Sequence, residues 1–182
     1  MLLYVLIGVV LLIIIYLFLV FNKFVKLNND VNEAFSTMDV YLKKRWDLIP
    51  NIVETVKGYA KHEKETFEEV VKLRNNNYDD LSDNEKINTN KKINNSISRI
   101  MALAESYPEL KADKHFLELQ KTLGDIEDEI AQSRKYYNAV VRNYNNKVQM
   151  VPSNIVAKLF NYKTKNMFEA NDDERNNVKV EL

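Results

Sequence analysis

The stretch MLLYVLIGVVLLIIIYLFLVF, residues 1–21, carries no charged side chain, and a polar, heavily charged chain follows it. As a helix it would be roughly 31 Å long at about 1.5 Å per residue. That matches the roughly 30 Å hydrocarbon core of a bilayer. In lipid a segment must satisfy its own backbone polar groups, and a helix does so. The run therefore predicts a membrane-spanning helix at residues 1–21, with the rest of the chain working beside the bilayer. A cleaved signal would begin with a basic region, continue with only about 7–15 apolar residues and end at small residues. Here the start, Met1-Leu2-Leu3-Tyr4, has no Lys or Arg, and the exit through Phe18, Leu19 and Phe21 is bulky. An uncleaved anchor is expected. Lys23 and Lys26 flank its exit, so the positive-inside rule favours an amino terminus outside and a cytoplasmic body.

The remaining 22–182 suffices for one domain. Lys plus Arg equals Asp plus Glu at 26 each, so no overall field draws in nucleic acid. The absence of cysteine removes disulfides, thiolate chemistry and lipoprotein-type processing. With three glycines and three prolines, a phosphate-cradling glycine loop and the turns of an all-β domain are both missing.

Four apolar stripes at helical spacing follow. Val31, Phe35, Met38 and Leu42 make the first. Ile49, Val53, Val56, Ala60, Phe67, Val70 and Arg74 make the second, interrupted by Glu63. Ile87, Ile93, Ile97, Ile100, Met101, Ala104 and Tyr107 make the third. The fourth runs from Phe116 through Leu119, Leu123, Ile126, Ile130, Tyr137, Val141, Tyr144 and Val148 to Val151. Amphipathic helices of this kind bury their seams against one another, predicting an all-α, antiparallel up-and-down four-helix bundle.

The boundaries follow from local chemistry. Ser82 and Glu85 form a capping box for the third helix. Pro108 disfavours helix at Tyr107, and Asp113 can cap the fourth. The polar run at 75–80 reads as a loop, and Ser153 can open a short helix. Lys43, Lys44 and Arg45 suit a helix carboxyl end, Asp47 an N-cap, and Pro50 a first turn. Helices are thus expected at about 22–46, 48–75, 83–107, 113–151 and 154–160, making a domain of 22–160. Against a break at 47, the apolar phase runs on across Pro50, which a single kinked rod would explain. Residues 161–182 read as a loosely ordered polar tail, though Val178, Val180 and Leu182 alternate like a short strand.

Several segments in this order resemble the LemA family. They are Ala34-Phe35-Ser36, Met38-Asp39-Val40, Leu42-Lys43-Lys44-Arg45, Asp47-Leu48-Ile49-Pro50-Asn51, the run from Val53 to Ala60, and His62-Glu63-Lys64-Glu65-Thr66. The likeness resumes from Ala104 to Ala112, at Phe116-Leu117-Glu118-Leu119-Gln120, Tyr137-Asn138-Ala139-Val140, Tyr144-Asn145 and Phe168-Glu169-Ala170. The resemblance implies one amino-terminal membrane helix, often with a proposed extracellular amino terminus, and an antiparallel four-helix bundle without an established activity. Some relatives look like lipoproteins displayed beyond the inner membrane, which pulls against a cytoplasmic body. This chain departs from the family pattern at Phe35, where tryptophan is usual, and at Lys44, where arginine is common. Phe160-Asn161-Tyr162 stands where Phe-Gly-Phe is typical, so the backbone at Asn161 is open to a different course.

No residue pattern points firmly to chemistry. His62-Glu63-Lys64-Glu65 lacks the second histidine of a metalloprotease helix, since position 66 is Thr66. Neither His62 nor His115 completes the Glu-x-x-His of a di-metal bundle. The serines have no glycine elbow and no adjacent histidine. Glu63 interrupts one stripe and Arg134 fills a gap in another, so the two are expected to meet inside or at the rim of the bundle. Tyr137, Asn138, Tyr144 and Asn145 are either seam residues or the lining of a groove. The expectation is a non-enzymatic, cofactor-free and metal-free scaffold, tethered to the lipid bilayer through residues 1–21. Its partner would be a membrane or envelope protein, with a homo-oligomer also open. The competing reading is a small-molecule-binding or enzymatic bundle with its site near Tyr137, Asn138, Tyr144 and His62.

Overall fold

The computed structural model describes residues 1–60, 63–73 and 77–168. All regular structure among them is helical: α1 Leu2–Tyr59, α2 Lys64–Leu73, a 3-10 turn Tyr78–Asp80, α3 Asp83–Glu105, α4 Pro108–Lys111, α5 Lys114–Gln149 and α6 Ser153–Leu159. The strand-like alternation at Val178, Val180 and Leu182 lies outside the described residues.

The expected break at Asp47 is not there. Helix α1 continues through Pro50 to Tyr59 as one 58-residue element. Proline in a helix interior costs about 3 kcal/mol through the lost hydrogen bond and ring clash. Around it Leu42, Trp46, Ile49, Ile52 and Val56 are all buried, none more than 3% exposed. At about 1.5–3 kcal/mol for each buried side chain, this seam outweighs the proline. The first turn of the body therefore falls after Ala60, where the Glu63 amide donates to the Ala60 carbonyl at 3.2 Å.

The chain divides into two compact units, one of Met1–Ser36 with Lys135–Met167 and one of Thr37–Arg134 with Phe168–Leu182. In the first unit, α1 is bare along its apolar start: Leu2 is 86% exposed, Leu12 68% and Leu19 63%. It is the one described helix long and apolar enough to cross a membrane. From Val20 onward a face of α1 is buried through Phe24, Val31, Ala34 and Phe35. Phe24 meets Tyr144 edge-on at 6.4 Å, and Phe35 meets Tyr137 at 5.7 Å. Rising numbers on α1 pair with falling numbers on α5, so the two run antiparallel here. Helix α6 turns its Ser153, Val156 and Ala157 inward.

The second unit repeats that sense. Arg45 of α1 bonds Glu127 of α5, and Tyr59 bonds Asp113, again antiparallel. Asp39 bonds Lys86 and Arg45 bonds Asn94, so α3 runs parallel to α1. The stripe residues Ile87, Ile93, Ile97, Ile100, Phe116, Leu123 and Ile130 are buried. Ser82 caps α3 with the reciprocal bonds of a capping box, its side chain accepting from the Glu85 amide. The Phe116 amide donates to Asp113 Oδ1 at 2.9 Å and so caps α5.

Candidate functional site

Two polar constellations stand out, one in each unit. The first is built on Arg45, which is 1% exposed. Its Nη1 donates to Glu127 Oε1 at 2.7 Å and to Asn94 Oδ1, and its Nη2 reaches the Asn90 carbonyl at 3.4 Å. Arg45 Nε and Asn90 Oδ1 are buried without a hydrogen-bond partner among the described residues. A buried guanidinium demands an anion and several acceptors. Glu127 supplies the charge while remaining 39% exposed itself.

Beside it, Tyr78 is buried at the 3-10 turn. Its hydroxyl donates to Asp39 Oδ1 at 2.6 Å, and Lys86 Nζ donates to Asp39 Oδ2 at 2.7 Å. Trp46 packs on the Tyr78 ring at 5.4 Å, and Lys43 and Lys86 approach the same ring at 5.6 and 4.9 Å. Burial, then the hydrogen bond to the Asp39 carboxylate, push the Tyr78 hydroxyl far above its ordinary range. It stays protonated and acts as a donor that ties the turn to α1.

The basic triplet is thus not a helix terminus. Lys43 pairs with Asp47 at 2.8 Å one turn on, Lys44 lies over the Tyr41 ring at 5.3 Å, and Arg45 enters the core. The signal was present in the chain. Met38, Leu42, Arg45, Ile49, Ile52 and Val56 recur at steps of four and three, so Arg45 occupies a stripe position once α1 is read through Pro50. The polar run at 75–80 hides Tyr78 in the same way, as the one aromatic in a segment that otherwise reads as loop.

The expected meeting of Glu63 and Arg134 does not occur. Glu63 follows α1 at the end where Tyr59 bonds Asp113 at 3.0 Å. Arg134 lies 21 residues further along α5 than Asp113, roughly 31 Å of helix, with its guanidinium over the Phe168 ring at 5.6 Å. Glu63 stands in a turn, not in a stripe, so the argument for its burial lapses. His62 lies outside the described residues.

The second constellation gathers Tyr137, Tyr144 and Asn145, and the chain itself occupies their groove. Asn145 Nδ2 donates to the Lys165 carbonyl and Asn145 Oδ1 accepts from the Lys165 amide, both at 2.8 Å. One amide thereby pairs with an extended backbone as a neighbouring strand would. The Tyr137 hydroxyl donates to the Asn166 carbonyl at 3.0 Å. Lys165 Nζ reaches Asn32 Oδ1 at 2.9 Å and lies 5.5 Å from the centre of the Tyr144 ring. Asn138, on the same helix, is half-buried. The start of the expected loose tail is therefore strapped down, and Phe168 is 3% exposed.

The strap begins with a turn that Asn161 makes. It adopts φ 57, the left-handed region. The Tyr162 amide donates back to the Ala157 carbonyl at 2.8 Å, and the Asn161 amide to the Lys158 carbonyl at 3.3 Å. This is a Schellman cap on α6, where glycine is usual and asparagine is the best-tolerated substitute. Asn161 keeps the backbone course that a glycine would take. Tyr162 then stacks on Phe24 at 4.7 Å, and Phe160 touches Phe21 at 4.7 Å.

Lys23 and Lys26 are exposed just past the apolar run. Among the described residues, no group of three or more His, Asp or Glu side chains is placed to hold a metal ion.

Residues 34–182 match the profile of the LemA family. Protein LemA of Metamycoplasma hominis is 24% identical over 158 residues, spanning 86% of this chain and 72% of that protein. Magnetosome protein MamQ 2 of Paramagnetospirillum magneticum is 22% identical over 175 residues, spanning 82% of this chain. Magnetosome protein MamQ of Magnetospirillum gryphiswaldense is 21% identical over 169 residues, spanning 79%. The chain covers 64% and 62% of those two magnetosome proteins, under two-thirds of their length. With the family profile matched along most of its sequence, the chain belongs to the LemA family.

Proposed function

We propose that this chain is a membrane-tethered, non-enzymatic interaction protein. Residues 1–21 hold it in the bilayer, with the amino terminus outside and the body in the cytoplasm. The body is an antiparallel up-and-down bundle of four helices: the later part of α1, then α2, α3 and α5. The antiparallel α1 and α5, with α3 parallel to α1, support that arrangement. A bilayer also accounts for the bare start of α1, because contiguous apolar surface of that extent is rare on proteins in water. Tethering raises the effective concentration of the body toward other membrane proteins, and the partner is a membrane or envelope protein.

One observation carries the interaction reading. The polar side chains best suited to bind a ligand are bonded to the chain itself: Arg45 to Glu127 and Asn94, Tyr137 and Asn145 to the strap. Bonds used this way set shape rather than recognise substrate. That chains named Protein LemA and Magnetosome protein MamQ align with most of this one supports a helical body used in more than one setting.

A photo-crosslinking residue placed at exposed Val40, Leu117 or Tyr136 of the full chain, in cell membranes, tests this. A discrete adduct to a membrane protein is expected, kept when residues 1–21 are exchanged for an unrelated span and lost when the span is disrupted by charge. The absence of an adduct at all three positions would overturn the reading.

A further inference from the structure

The exposed apolar surface of the first unit does not end with α1. Met150, Val151, Ile155, Leu159 and Phe160 are 62%, 78%, 64%, 67% and 47% exposed. Ile155 and Leu159 are spaced four apart, so they share the face of α6 opposite buried Val156 and Ala157, and Met150 and Val151 stand in the turn before it. A short helix that is apolar on both faces needs cover on both. One face is covered by the unit. For the other, the occupant follows from position and charge.

Position comes from Phe160, whose ring lies 4.7 Å from that of Phe21, the last residue of the apolar run. The α6 patch therefore sits at the level where the anchor leaves the hydrocarbon, continuous with its bare surface. Charge comes from how the fold sorts the sequence. Within Met1–Ser36 and Lys135–Met167, the cations are Lys23, Lys26, Lys135, Arg142, Lys147, Lys158, Lys163 and Lys165. The only carboxylates are Asp30 and Glu33, for a net +6 in a chain whose total is zero. No acidic residue occurs between Ile130 and Phe168. An apolar face on a unit of net positive charge, with exposed Lys158 on the same short helix, suits the interface of an anionic bilayer.

We propose that α6 and the turn before it are a second membrane contact, seated in the headgroup region of an anionic bilayer beside the anchor. This rests on the reading of residues 1–21 as a membrane span. It makes the first unit a two-point foot: the anchor fixes the chain to the bilayer, and α6 fixes its rotation and tilt. A second copy of the chain or a protein partner is the competing occupant of the patch.

The chain lacks cysteine, so single cysteines can be placed in the full-length protein at Ile14, Ile155, Leu159 and exposed Lys121. Each is labelled with an environment-sensitive fluorophore in vesicles of phosphatidylcholine with phosphatidylglycerol. Brominated lipids then quench labels that touch acyl chains. The expected result is strong quenching at Ile14→Cys, and quenching at Ile155→Cys and Leu159→Cys at least about threefold above Lys121→Cys. The Ile155 signal should weaken when phosphatidylglycerol is omitted or salt is raised. Quenching at Ile14→Cys with none at positions 155 and 159 would overturn the foot and leave the anchor standing. A blue-shifted label at 155 that bromolipid does not quench would assign the patch to a protein surface, also overturning it. No quenching at Ile14→Cys would overturn both.

Discussion

Arg45 and Glu127 should respond very unequally to removal, although they form one ion pair. Arg45 is 1% exposed and Glu127 39%. Replacing Glu127 with leucine leaves a guanidinium in the core without its anion, a loss of about 3–5 kcal/mol. Replacing Arg45 with methionine leaves a carboxylate that is already half in water and can complete its hydration. That variant also loses the bond to Asn94, about 0.5–1.5 kcal/mol, but it removes Arg45 Nε, a buried donor that has no partner among the described residues, at a cost of about 1–3 kcal/mol. The net for Arg45→Met is roughly 0–2 kcal/mol, because the apolar stem remains packed. Combining the changes should restore most of the stability lost in Glu127→Leu. The chain has a single tryptophan, and it is Trp46, buried beside Arg45. Urea unfolding of the full chain in detergent micelles, followed by Trp46 fluorescence and by far-ultraviolet circular dichroism, reads all three variants. If Arg45→Met were as damaging as Glu127→Leu, or the double variant worse than Glu127→Leu, the reasoning from unequal burial would fail.

Asn161→Gly should leave stability unchanged or slightly raised, whereas Asn161→Val should cost about 1–2 kcal/mol, because a branched side chain resists the left-handed region; thermal unfolding separates them. Asn145→Ala removes two hydrogen bonds to Lys165, about 1–3 kcal/mol together, and should speed tryptic cleavage at Lys163 and Lys165 well before the body unfolds. Ser82→Ala should destabilise by about 1 kcal/mol through the lost cap on α3, with hydrogen exchange rising first in its opening turn. Acid should act on the same caps. Glu85 is held below its ordinary range by the Ser82 hydroxyl and then the Ser82 amide, and Asp113 by the Phe116 amide and then Tyr59. Folded values that are depressed give stability present above the unfolded values, lost as pH falls through the folded ones. Unfolding midpoints should therefore drop below about pH 4, and Asp113→Asn should flatten its share of that fall.

The elements most legible in the sequence were those set by local chemistry. The capping box at Ser82 and Glu85, the cap at Asp113, the stop before Pro108 and the start at Ser153 all act within a few residues of themselves. The stripes were legible because burial follows helical phase, as at Ile100 and Val141. What escaped depends on partners distant in sequence. Pro50 argues locally for a break, and only the seam it shares with Trp46, Ile49 and Ile52 overrules it. That one misplaced end disguised Arg45 as a terminal cation, since a dipole argument needs a terminus to act on. The same stripe logic, applied to Glu63, failed because Glu63 stands outside any helix. Tyr137, Tyr144 and Asn145 fall on one helix in the sequence, but nothing local shows that Lys165 and Asn166 return to bond Tyr137 and Asn145. The net charge of zero hid the sorting of cations into the unit that carries the apolar run 1–21, which only the fold makes visible.

Every functional proposal for this chain starts from residues 1–21 as a retained membrane span. Alkaline carbonate extraction of membranes carrying the full chain, with mass spectrometry of the pelleted protein, tests it directly. A retained span should keep the chain in the pellet with its Met1-to-Phe21 peptide intact, and Ile13→Arg with Ile14→Asp should release it. Release of the unaltered chain by carbonate, or a pelleted protein lacking that peptide, would contradict it.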